Sequence, residues 1–165
     1  MFKIGDLVTY STHGICRVDD ICPKTYSGIT RTYYVMHPIE DCHLTLQCPT
    51  DHEHVVILAM MNQSEAEEIL ESFKSPGINW VEKASDRTRF YNDTIKTGNR
   101  KDIAKVVNTL MRKKWKVETS GKKLAEVDRR LLFSVQNILF KEIAYSLNTT
   151  FECINNKINS IIKQY

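Results

Sequence analysis

The sequence predicts an α+β protein, a small antiparallel β unit followed by a compact helical bundle. Three observations carry this. Short strand-like runs fill the first sixty positions, LTLQC alternating with period two, and the spacing changes to the helical 3.6 after Met61. A Pro- and Gly-containing break, KSPGINW (residues 74–80), interrupts the later pattern. The charge also changes sign at that break. Residues 1–74 hold five Lys/Arg and eleven Asp/Glu, a balance of −6, whereas residues 75–165 hold eighteen and nine, a balance of +9.

The β unit reads in order. GDLVTYSTHGICRV (residues 5–18) is rich in strand formers and carries a turn signal at THG. SGIT around Gly28 is a second turn, and TYYVM (residues 32–36) a further strand. LTLQC (residues 44–48) alternates, with Leu44, Leu46 and Cys48 on one face. HVVIL (residues 54–58) completes about five short strands, as in a small barrel or strongly bent sheet. A unit of this size buries little apolar surface.

The helices follow. Ser64 and Glu67 form a capping box opening SEAEEILESFK. The break at residues 74–80 is the predicted boundary, giving a β domain over 1–61, a capped helix and linker over 62–79, and a helical domain over 80–165. A helix over residues 85–96 stops at Gly98. The next has one apolar stripe, Ile103, Val106, Val107, Leu110, Met111 and Trp115, interleaved with Lys101, Lys105, Arg112, Lys113, Lys114 and Lys116. After the basic turn ETSGKK, a helix over residues 125–147 turns Leu131, Val135, Ile138, Leu139 and Ile143 to the core. Thr149 and Glu152 cap a last helix carrying Phe151, Ile154, Ile158 and Ile161. Four short amphipathic helices make a bundle.

The pattern argues against an enzyme. The sequence has no G-x-S-x-G, P-loop, H-E-x-x-H or G-x-G-x-x-G motif. Cys42, His43, His52 and His54 match no standard zinc spacing, and a Cys–His nucleophile there lacks an orienting third group, so no metal, cofactor, catalytic residue or small-molecule substrate is predicted. The five cysteines show no C-x-x-C pair, and most are expected to be reduced and buried. Tyr10, Tyr26, Tyr33 and Tyr34 admit an aromatic cage for a methylated cation, against ordinary core or rim packing. No apolar run nears the ~18 residues of a membrane span, and the start MFKIGDLV lacks the features of a signal peptide. A cytoplasmic protein is expected, with no membrane partner.

The basic half points to nucleic acid. Arg87, Arg89, Arg100, Lys101, Lys122, Lys123, Arg129 and Arg130 fall near helix starts and turns, where side chains and backbone N–H groups bind phosphates together. No base-reading motif is present, so the inference is backbone binding without strong sequence preference. Trp80 has two readings: an anchor packing the linker onto the bundle, or a wedge pressed against a weak base step.

MFKIGDLVTYSTHGICRVDDI, TGNRKDIAKVVNTLMRKKW and SGKKLAEVDRRLLFSVQNILFKEIAYSL together resemble the CarD-like (CarD/CdnL) bacterial transcription regulators, over nearly the whole chain. The resemblance implies a Tudor-like, SH3-like β domain, shared with the transcription–repair coupling factor, joined to a helical domain. It implies that the β domain docks on the β subunit of RNA polymerase and that the helical domain contacts promoter DNA, backbone and minor groove, stabilising the open complex. By the same resemblance, the polymerase contact falls on Lys24 and on His43, Leu44, Thr45, Leu46, Gln47, Cys48 and Pro49. Gln47 stands where better-studied relatives carry Arg, a change that backbone pairing along an edge strand tolerates. Trp80 falls near the family's minor-groove Trp. The alternative is an architectural DNA-binding protein without polymerase contact, which leaves the acidic half without a role.

Overall fold

The computed structural model describes residues 1–10, 13–51 and 57–164. The chain divides into two compact units, Met1–Met60 and Met61–Tyr165.

The first unit is a five-stranded antiparallel sheet of order β4-β3-β2-β1-β5. Its strands are β1 (Leu7–Tyr10), β2 (Gly14–Tyr26), β3 (Ile29–Pro38), β4 (Leu46–Pro49) and β5 (Ile57–Ala59). The two central strands are longer than the sequence suggests and form one hairpin running from Cys16↔Pro38 to Tyr26↔Ile29. Ser27 and Gly28 both take positive φ, at 51° and 78°. A two-residue turn of this hand matches the right-handed twist of the flanking strands. A bulge between Val18 and Asp20 interrupts the register, and the Asp19 carboxylate lies 2.7 Å from His37 Nδ1.

Val8, Cys16, Val18, Tyr34, Met36 and Cys48 form the unit's core. The Phe2 amide donates to the Tyr34 hydroxyl at 3.2 Å, tying the N-terminal segment to β3. Cys48 of the predicted LTLQC face is buried, but Leu44 lies ahead of β4 and is exposed. Of HVVIL, residues 54–56 lie outside the described residues; Ile57 and Leu58 belong to β5.

The second unit holds five helices: α1 (Gln63–Ser72), α2 (Ala84–Lys96), α3 (Arg100–Thr119), α4 (Glu126–Ser146) and α5 (Phe151–Gln164). α1 is part of this bundle. Ala66, Ile69, Leu70 and Phe73 are buried in the same core as α3, α4 and α5, and the Phe73 and Phe140 rings meet edge-on at 6.0 Å. The structural division thus falls at Met60, and α1 packs into the helical bundle through its apolar face rather than standing apart from it. By unit, the charge is −3 for residues 1–60 (four Lys/Arg, seven Asp/Glu) and +6 for residues 61–165 (nineteen and thirteen).

The helix starts differ in detail. Asn62, not Ser64, caps α1, accepting from the Glu65 amide at 2.9 Å. Thr150, not Thr149, accepts from the Cys153 amide at the start of α5. Asn99 caps α3 through the amides of Lys101 and Asp102. On α4 the buried face is Asp128, Leu132, Val135, Leu139 and Ile143, so Leu131 and Ile138 sit at its margins. Trp115 is not core: it is 40% exposed, because the groove between α3, α4 and α5 is open at its level.

Candidate functional site

Residues 73–80, which look like a linker in the sequence, form a strap pinned along α3. Thr109 Oγ1 accepts from the Ile78 amide at 2.8 Å and donates to the Ile78 carbonyl at 2.9 Å. Asn108 Nδ2 donates to the Ser75 carbonyl at 2.8 Å, and Arg112 Nη2 to that of Phe73 at 2.8 Å. Gly77 makes the fit possible: a Cβ there would collide with Thr109 and with the backbone of α3. The strap ends at Trp80.

Trp80 is half-buried against the helical core, as the anchor reading requires, and two cations lie over its ring. The Arg87 guanidinium carbon is 4.2 Å from the ring centroid and Lys113 Nζ 4.6 Å, distances at which the ring's negative face attracts positive charge. Beside the ring is a pocket of about 340 Å³ whose basic lining is Arg112, Lys113 and Lys116. Thr109, Arg112, Lys113 and Lys116 fall on one side of α3 by their i, i+3, i+4, i+7 spacing. These three basic residues are absent from the sequence-predicted set; the signal for them was that same spacing.

Arg87, expected at a surface that meets phosphates, is instead enclosed within the fold. It is 5% exposed. Its Nε and Nη2 donate to the two oxygens of Asp128 at 3.0 and 2.7 Å, and Nη1 donates to the carbonyls of Val81 and Glu82 at 2.7 and 3.0 Å. The Asp128 hydrogen bond raises the Arg87 pKa further above its ordinary value, so the guanidinium stays charged. Arg87 thus ties Trp80 to the pair it forms with Asp128. Arg100 is also committed: its side chain is largely buried between Glu142 and Glu65. Glu142 further accepts from the Met61 amide at 3.2 Å, fixing the start of the unit.

The remaining predicted basic residues are exposed. Arg89 lies 4.0 Å from Asp86, and Lys101 Nζ donates to Glu68 at 2.9 Å. Lys122 and Lys123 stand in the turn after α3. Arg129 and Arg130 share Glu126, whose carboxyl their hydrogen bonds lower to about 2. Exposed ion pairs of this kind contribute little and are readily exchanged for phosphates. The structure therefore gathers Trp80, Arg112, Lys113 and Lys116 at one place and removes Arg87 and Arg100 from the surface.

In the β unit, β4 is an edge strand, paired to β3 on one side by Tyr33↔Pro49, Tyr34↔Cys48, Val35↔Gln47 and Met36↔Leu46. An edge strand presents unpaired backbone groups to another chain. His43, Leu44 and Thr45 lead into it and are exposed, Leu46 and Pro49 are half-buried, and Cys48 points into the core. Gln47 Oε1 accepts from the Tyr26 hydroxyl at 2.6 Å, so the hairpin tip reaches across β3 to β4. Lys24 opposes Arg31 on the hairpin, making Arg31 a second basic group on this face that sequence reasoning missed. The aromatic cage does not form. Tyr26 and Tyr33 meet edge-on at 5.4 Å, but Tyr34 faces the core and Tyr10 stacks on His13. Cys42 and His43 are exposed, whereas His52 and His54 lie outside the described residues. Among the described residues, no three His, Cys, Asp or Glu side chains are grouped to hold a metal ion, and no helix is long and apolar enough to cross a membrane.

Two family models cover the chain in succession. Residues 2–60 match the CarD-like/TRCF RID domain, and residues 58–159 match the CarD C-terminal domain. Their junction coincides with the structural division at Met60. With both domains present and in order, the chain belongs to the CarD-like family, and it is a transcription regulator that interacts with RNA polymerase.

Proposed function

We propose that the β unit docks on the β subunit of RNA polymerase along β4, and that the helical unit holds promoter DNA at the Trp80 pocket and stabilises the open complex. The observation that carries this reading is Trp80 itself, half-exposed, braced by Arg87 and flanked by Lys113 and Lys116. Lys113 swings off the ring to bind a phosphate on one side of a minor groove, Lys116 binds one on the other, and the indole presses on the base step between them. Arg89, Lys101, Lys122, Lys123, Arg129 and Arg130 supply further backbone contacts from other parts of the unit. On the β unit, the β4 edge supplies main-chain pairing, with Gln47, Lys24 and Arg31 setting side-chain fit. The protein acts in the cytoplasm, on the nucleoid, wherever polymerase holds a promoter.

The mechanism is linkage. Contacts made to the melted promoter and not to the closed one favour melting by their difference, and ~1.4 kcal/mol shifts that equilibrium tenfold. A fluorescent reporter near the start site, with purified polymerase and housekeeping sigma factor, tests this. Wild type raises the open fraction; Trp80→Ala and Lys113→Glu lower the gain several-fold. An unchanged open fraction with wild type on several promoters would sink the reading.

A further inference from the structure

A second aromatic site lies on the other side of α3 from Trp80. At about 100° per residue, Met111, Lys114, Trp115 and Glu118 are centred about half a turn from Thr109, Lys113 and Lys116. They line one wall of a groove of about 560 Å³ closed by α4 and α5. Two large aromatics face water there, Trp115 at 40% and Phe133 at 70% exposure. Exposed together in the lining of one groove, the two aromatics form an apolar patch rather than scattered surface residues, and such a patch marks an interaction site.

The rest of the lining indicates what. A chain of carboxamides lines the same groove. Gln136 Nε2 donates to Asn155 Oδ1 at 2.9 Å, and Asn159 Nδ2 donates to the Asn155 carbonyl at 2.8 Å and to its Oδ1 at 3.1 Å. Asn137 and Asn156 add further amides along the same groove. Carboxamides offer donors and acceptors together, the combination that base edges require. Lys163 Nζ lies 5.0 Å from the Trp115 ring centroid, Lys114 flanks it, and Glu118 is the one carboxylate among the groove's lining residues, so the charge favours a polyanion. An amphipathic protein helix would want a continuous apolar floor, which the amides interrupt.

We propose that this groove binds single-stranded nucleic acid, with Trp115 and Phe133 stacking unpaired bases, the carboxamides meeting base edges and Lys114 and Lys163 meeting phosphates. Aromatic platforms of this kind accept any base, because each has a π-face, and are blind to a duplex whose faces are already stacked. The site is distinct from the Trp80 pocket and stands or falls without polymerase.

The test uses the full chain carrying Trp80→Phe, which leaves Trp115 as the sole indole. A short oligothymidylate or the matching duplex is titrated in while Trp115 emission is followed. Saturable quenching by the single strand and not by the duplex is expected. Adding Phe133→Ala should weaken the single-strand Kd about tenfold, the scale of one lost base stack. Phe133 is exposed, so its removal leaves the fold intact, which circular dichroism checks. Absence of quenching, or a Kd unmoved by Phe133→Ala, overturns the proposal. So does a sedimentation-detected dimer that Phe133→Ala abolishes, since the groove then belongs to a second copy.

Discussion

Arg87 and Asp128 form a buried, two-pronged ion pair that joins α2 to the first turn of α4, and the same guanidinium lies 4.2 Å from the centre of the Trp80 ring. One arginine therefore links the packing of two helices to the placement of the proposed DNA wedge. Removing only the acid leaves a buried cation without its partner. Asp128→Ala is expected to cost ~3–5 kcal/mol of stability, read from the midpoint of urea unfolding at unchanged slope. A loss under 1 kcal/mol would show that the pair is solvated in solution.

Gly77 sets how closely the strap lies on α3. Gly77→Ala places a methyl against Thr109 and the α3 backbone, so the strap must lift. A cost of ~1–3 kcal/mol is expected, with a red shift of Trp80 emission in a Trp115→Phe background. Removing the nearest obstacle, the Thr109 hydroxyl, with Gly77→Ala/Thr109→Ala should not rescue the emission, because the Lys105 carbonyl and the Thr109 backbone nitrogen also block the methyl.

In the proposed DNA complex, Glu126 competes with phosphates for Arg129 and Arg130, both of which donate to it. Their hydrogen bonds hold its carboxyl down to about 2. Its contribution to stability is thus present above the ordinary carboxylate range and disappears as pH falls through about 2. Glu126→Gln releases both arginines at neutral pH. Duplex affinity should rise at low salt and the salt slope steepen by about one to two phosphate contacts. An unchanged slope measured by fluorescence anisotropy places Arg129 and Arg130 outside the DNA contact.

The cysteines should separate by burial. Desolvation raises the Cys16 thiol to about 11, and Cys48 is raised by the same cause, whereas Cys42 and Cys153 are exposed. At pH 8, iodoacetamide followed by mass spectrometry should label Cys42 and Cys153 first, and Cys16 and Cys48 only on unfolding. Rapid labelling of Cys16 in the native protein would mean that the β core opens.

Much of this architecture is legible in local pattern. The period change after Met61 predicts the order of β unit and bundle, and the α3 stripe of Val106, Val107, Leu110 and Met111 is buried as its spacing requires. Trp80 stands out as an aromatic in an irregular segment. Less legible was the allegiance of α1, since nothing in SEAEEILESFK says that Ile69 and Phe73 pack with residues seventy positions later. The Pro and Gly of residues 76–77 read as a break, yet they let the strap fit α3.

The sequence by itself determined which segments are strands and helices, the excess of positive charge on the helical unit and the family resemblance, because each depends on neighbouring residues or on summed composition. Only the tertiary structure decided which of those charges face water. Arg87 and Arg129 look alike in the sequence. One is enclosed by Asp128 and two carbonyls, while the other lies on the surface beside Glu126. The difference is physical: a guanidinium can be buried only where distant chain segments bring enough acceptors together to replace water, and that convergence is a property of the fold.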